Sequence, residues 1–167
     1  LEFQSWDPTL NAPDADLDTG RAYVLAWGGR TDIEHTSFSD LGFGEGAHSG
    51  VGWRSITWAG ATEVVRGNVA HSQFIRNYFG AYTFEAVEMH WKGNTFANNI
   101  GYGFDPHEFS NDFIVEDNIV YGSGKHGLIF SRGCHRNIIR NNQSYDNLGH
   151  GIMIDDGKGE PGSSNIR

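Results

Sequence analysis

Three segments set side by side decide how this chain folds: "GNTFANNIGYGFDPH" (93–107), "DNIVYGSGKHGLIFS" (117–131) and "NNQSYDNLGHGIMID" (141–155). Asn94, Asn118 and Asn142 fall in one column, each 24 residues apart. Gly103, Gly127 and Gly151 form a second column at the same spacing. Phe104, Leu128, Ile152 and Pro106, Phe130, Ile154 form two more. Four columns in one register mark an internal repeat. It extends upstream with a slip: "SQFIRNYFGAY" from Ser72 matches "NTFANNIGYGF", and "TSFSDLG" from Thr36 reads as an earlier copy.

Each copy alternates apolar and other residues over short stretches, as in "FIVED", "GLIFS" and "GIMID". Alternation at period two with Ile, Val and Phe predicts strands, and no segment carries a capped helical face. Units of 22–24 residues with short strands and Asn/Gly corners predict an all-β fold, a right-handed parallel β-helix. One coil cannot bury its apolar side alone; coils stacked at ~4.8 Å build a continuous core. The Asn column is expected at corners, where Asn tolerates a left-handed backbone and bonds along the stack. The glycine column is expected to supply positive φ or close approach.

These readings give a single domain over 1–167: a loop or cap over 1–34, an insertion at 43–61, the best-defined coils over 62–157, and a closing loop with the start of a further coil at 158–167. Trp53 and Trp58 in the insertion suit either stacking on a ligand or core packing. The chain opens on Leu1 and looks short for a complete solenoid, as expected of part of a longer protein.

Of 167 residues, 12 are Lys or Arg and 21 Asp or Glu, a formal net charge of -9. That excludes a general nucleic-acid binder, which needs a basic face. No apolar run is long enough to span a membrane as a helix. The lone cysteine, Cys134, can form neither an internal disulfide nor a thiolate zinc site. Nothing in the sequence sets an oligomeric state.

If Phe104 and Pro106 point inward, Asp105 and His107 point outward, where the next coil has Ile129 and Ser131. Tyr102, His126 and His150 form one column beside Lys125; a bend at the following glycine is expected to turn it outward. Glu108 and Arg132 lie just past the strand. The patch therefore holds Tyr102, Asp105, His107, Glu108, Lys125, His126, Arg132 and His150, suited to a chain-like ligand lying across the coils. A surface histidine ladder with exposed ion pairs would present the same letters. Coupled titratable groups in one place favour a site.

The stretch "YGFDPHEFS" (102–110) resembles the YGxDPH motif of mannuronan C5-epimerases, which convert mannuronate to guluronate within alginate, and the resemblance runs from about Ser72 to Gly157. It implies a right-handed parallel β-helix, an anionic polysaccharide substrate and a secreted or periplasmic setting. Tyr102, Asp105 and His107 match the motif's tyrosine, aspartate and histidine. Lys125 falls where some members carry the cation that neutralises the substrate carboxylate, with Arg132 as the alternative. His126 and His150 lie near another site histidine of secreted members. The periplasmic branch carries a base histidine a few residues before the motif; here "ANNIG" (97–101) has none. His107 is then expected as base and Tyr102 as acid, with the reverse open.

Two other readings share these residues: a polyuronate lyase working by β-elimination, and a non-catalytic carbohydrate-binding β-helix. No cofactor is required. Asp155 and Asp156, read as a loop doublet, leave calcium open, although no calcium-binding motif is present.

Overall fold

The computed structural model describes residues 1–18, 20–44, 46, 48–156 and 162–167. Three parallel sheets form the walls of a solenoid. Wall one stacks Glu2–Gln4, Ser37–Ser39, Gln73–Ile75, Thr95–Ala97, Ile119–Tyr121 and Gln143–Tyr145. Wall two stacks Ile33–Glu34, Gly67–Ala70, Met89–Lys92, Ile114–Glu116 and Ile138–Arg140. Wall three stacks Val24–Trp27, Gly50–Arg54, Phe79–Phe84, Phe104–His107, Leu128–Ser131 and Ile152–Asp155. The chain passes from wall two to wall one to wall three in each coil. No helix occurs among the described residues.

The Asn column does only half of what the sequence suggested. The left-handed corner falls one residue earlier, at Gly93, Asp117 and Asn141, with φ of 64°, 58° and 55°. The next side chain bonds along the stack. The backbone N–H of Ser72, Asn94 and Asn118 donates in turn to Oδ1 of Asn94, Asn118 and Asn142, at 3.0, 2.9 and 2.9 Å. A second ladder, unforeseen, joins Leu41 N–H to Asn77 Oδ1 and Asn77 N–H to Asn99 Oδ1, both at 3.0 Å. These contacts satisfy backbone groups that the corners withdraw from the sheets. The glycine column works through space: a Cβ on Gly103 would stand 2.4 Å from Val120 Cγ1 and 2.7 Å from the Gly127 carbonyl oxygen.

The interior is aromatic. Phe3, Phe38, Phe74 and Phe96 stack along wall one, with centroid steps of 5.1, 5.2 and 4.9 Å. Phe104 joins Phe96 at 5.3 Å. Such pairs are worth about 0.5–1.5 kcal/mol each beyond their buried area.

Two expected boundaries move. Residues 1–34, read as a loop or cap, hold a strand in each wall. They also hold a short antiparallel pair, Trp6–Asp7 with Ala12–Pro13. The expected insertion at 43–61 divides into a turn ahead of Ser49, the wall strand Gly50–Arg54 and the first part of a hairpin, Ile56–Trp58 with Ala61–Glu63. Trp53 is fully buried against Trp91, whereas Trp58 is 78% exposed on the hairpin. Gly157 and residues 158–161 lie outside the described residues. Beyond them, the Ser164 and Arg167 N–H groups donate to the carbonyls of Cys134 and Asn137.

Candidate active site

Wall three carries an open cleft of about 420 Å³. Its lining includes Phe79, Tyr82, Tyr102, Asp105 and His107, with Ile129, Ser131, Arg132 and Asp155 from later coils. Four of the eight residues singled out in the sequence therefore meet in one place.

The strand Phe104–His107 supplies the centre. Phe104 is fully buried in the core, while Asp105, on the opposite face, forms cleft floor and is only 1% exposed. The outward face expected for Asp105 is thus a sheltered one. His107 is half-buried at the strand's end. There the chain turns through Glu108 and Phe109, at φ of 25° and 55°. Ser110 Oγ fixes that turn by donating to the His107 carbonyl oxygen at 2.7 Å, and it stands 2.8 Å from Thr83 Oγ1 of the preceding coil. The Phe109 N–H donates to the Arg132 carbonyl at 3.0 Å, which ties the turn to the next coil.

Tyr102 faces out, beside the strand. Rings form a ladder through it: Phe79 at 4.9 Å, Tyr102, His126 at 5.5 Å, and His150 a further 4.9 Å on. Lys125 Nζ stands 5.0 Å from the centre of the Tyr102 ring and 5.8 Å from that of Phe79, within cation–π range. Burial lowers the His126 pKa, and next the His150 charge does; Asp155 opposes them, and Lys125 adds the least.

Glu108 is engaged from two sides. Arg132 Nη1 donates to its Oε1 at 2.5 Å, and His107 Nδ1 lies 3.8 Å from the same oxygen. Arg132 keeps 41% of its side chain exposed, so it presents positive charge to the cleft while Glu108 holds it.

Tyr82 was not foreseen. It pairs in register with Asp105, and its ring lies 5.6 Å from His107. Burial, and next the Asp105 charge, push its hydroxyl above the ordinary phenol range, so it stays neutral. Asp155, expected in a loop, instead ends the strand Ile152–Asp155 and lines the cleft. Among the described residues, no group of three or more His, Cys, Asp or Glu side chains is placed to share a metal ion.

Comparison with known proteins agrees with this fold. The chain is 35% identical over 159 residues to a mannuronan C5-epimerase of Pseudomonas syringae pv. tomato, covering 90% of this chain and 30% of that protein. It is 35% identical over 150 residues to mannuronan C5-epimerase AlgG of Azotobacter vinelandii, covering 85% and 29%. The crystal structure of the periplasmic alginate epimerase AlgG superposes with a TM-score of 0.87 at 32% identity, over 97% of this chain and 40% of that one. The chain thus spans less than a third of the length of the curated relatives it matches. The family model for the right-handed beta helix region matches residues 24–167, and the chain belongs to that family.

Proposed function

We propose that the protein carrying this chain is a polyuronate C5-epimerase that converts mannuronate to guluronate within alginate. The observation that carries this reading is the cleft in which Tyr102, Asp105, His107 and Arg132 meet on one wall of the solenoid. The similarity to mannuronan C5-epimerases supports it.

The C5 proton of a uronate is α to a carboxylate and only weakly acidic. Its removal needs a cation to balance charge as the C5–H electron pair moves into the carboxylate. Arg132 serves here, with Lys125 beside Tyr102 as a second cation. His107 takes the proton, since imidazole is the side chain whose chemistry suits a base at neutral pH. Asp105 orients it from the sheltered floor. Tyr102 returns a proton to C5 from the other face, which inverts the centre. Solvent then restores both groups. His126 and His150 extend the binding wall past Tyr102, and Glu108 holds Arg132. No cofactor is needed in this scheme. A periplasmic or secreted setting follows by analogy with the periplasmic relative.

The test is C5 exchange. Full-length protein incubated with polymannuronate in D2O is expected to place deuterium at C5 and raise guluronate content, both read by NMR. His107→Ala should lower the rate by ~10²-fold or more. Products absorbing in the ultraviolet would mean β-elimination and a lyase. Binding with neither exchange nor cleavage would mean a carbohydrate-binding β-helix.

A further inference from the structure

Two coils from His107, on the same wall, Arg54 sits over the ring of Phe84, with its guanidinium carbon 4.1 Å from the ring centre. The register is explicit: His107 pairs with Phe84, and Phe84 with Arg54. All three side chains are half-exposed, facing away from the core. Arg30, Arg76, Arg132, Arg136 and Arg140 each hold a carboxylate within 3 Å. Among the described residues, none lies within ion-pair distance of Arg54, and the aromatic face beneath it holds the planar fork in place. Its charge still reaches the cleft, where it acts on Tyr82.

We infer that Arg54, seated on Phe84, forms a second carboxylate subsite, which binds a uronate two residues along from the one reacting at His107. This deepens the proposed function and rests on the cleft being a polyuronate site. Two strand spacings separate Arg54 from His107, ~10 Å. One sugar of a 1,4-linked chain advances by about one such spacing. Successive rings of a diequatorially linked chain turn by about half a turn, so carboxylates two residues apart face the same way. Arg132 belongs to the coil after His107, but its guanidinium reaches back to Glu108 beside His107, so a carboxylate held there leaves the other about two spacings away, within reach of Arg54. Guanidinium is suited to this task, since its donors match a carboxylate bidentately.

Full-length protein, wild type and Arg54→Ala, would be titrated calorimetrically with a mannuronate disaccharide and a hexasaccharide, and assayed on polymannuronate. Arg54→Ala is expected to weaken hexasaccharide binding roughly tenfold while leaving the disaccharide unchanged. On polymer it should raise KM with kcat kept, and Arg54→Lys should recover part of the loss. Unchanged hexasaccharide affinity in a variant that unfolds at the wild-type temperature overturns the subsite. If the alanine variant unfolds early, Arg54→Gln, which keeps the stem over Phe84, takes its place. Length-dependent binding through Arg54 without C5 exchange would leave the subsite standing and remove the epimerase. Exchange indifferent to Arg54 would do the reverse. Wild-type protein that binds neither oligomer would remove both.

Discussion

Tyr102 lies nearly parallel to His126, with ring centroids 5.5 Å apart and planes inclined by 17°. On its other side His126 accepts, through Nδ1, the backbone N–H of His150 at 2.9 Å. Only an unprotonated Nδ1 can accept that bond. Burial, His150 and Lys125 all press the same way, below the ordinary value of 6.5. Below pH 6.5 the unfolded chain takes up a proton at this position that the folded chain resists. His126 therefore subtracts stability as pH falls from 6.5 through its lowered value. NMR titration should find the His126 imidazole below 6.5; a value at or above it contradicts the geometry.

The Asn ladder should dominate stability near residue 118. Asn118 Oδ1 accepts from both the N–H and the side-chain amide of Asn94, and its own amide donates to the Trp91 carbonyl at 3.0 Å. Asn118→Ala leaves these buried groups unanswered, at a cost on the order of 3 kcal/mol. Asn142→Ala, at a half-buried site, should cost less. Urea unfolding measures both, with the midpoint shifting and the slope unchanged.

Glu116 on wall two gathers Arg140 at 2.6 Å, Lys92 at 3.1 Å and His90 at 3.0 Å. These partners, Arg140 foremost, hold its carboxyl at about 2 against an ordinary 4.5. The stabilisation is complete above pH 4.5 and fades as pH falls towards 2. Glu116→Gln should lower the melting temperature at pH 6, and the gap from wild type should close under acid. A gap independent of pH would count against the ion cluster.

Cys134 is buried beneath wall three, and burial pushes its thiol up to about 12. The thiolate is the reactive form. A disulfide reagent at pH 8 should find no thiol in the folded protein and one after denaturation. Rapid modification of the native protein would contradict this packing.

The repeat was legible where coils are equal in length. From Gly93 to Asp155 every rung repeats after 24 residues, so letters alone align Tyr102 with His126 and Phe104 with Leu128. Earlier, the rung Ser37–Gln73 spans 36 residues because a turn and a hairpin lengthen the coil. The pairing then shifts again between Phe79 and Tyr82. Tyr82 and Arg54 stand behind those two irregularities, and no spacing connected them to Asp105 or His107. The strands of residues 1–34 escaped notice for another reason. They precede the 36-residue coil, so no constant spacing sets their letters against a later copy. The same limit applies to direction at Asp105: period two placed it outward, but only neighbouring coils decide that outward means a sheltered floor.

The backbone of wall three repeats, yet the side chains along one of its lines do not. Arg54, Phe84 and His107 occupy successive rungs there, and Ser131 and Asp155 pair on later ones. Their strands follow one another in the same wall, and the core lies behind them whatever they are. On the proposed function, a substitution at Arg54, Phe84 or His107, all half-exposed, changes what the wall recognises at little cost to folding. One on the Asn ladder does the opposite. New specificities can therefore arise one rung at a time, each selected on its ligand rather than on rescue of the scaffold.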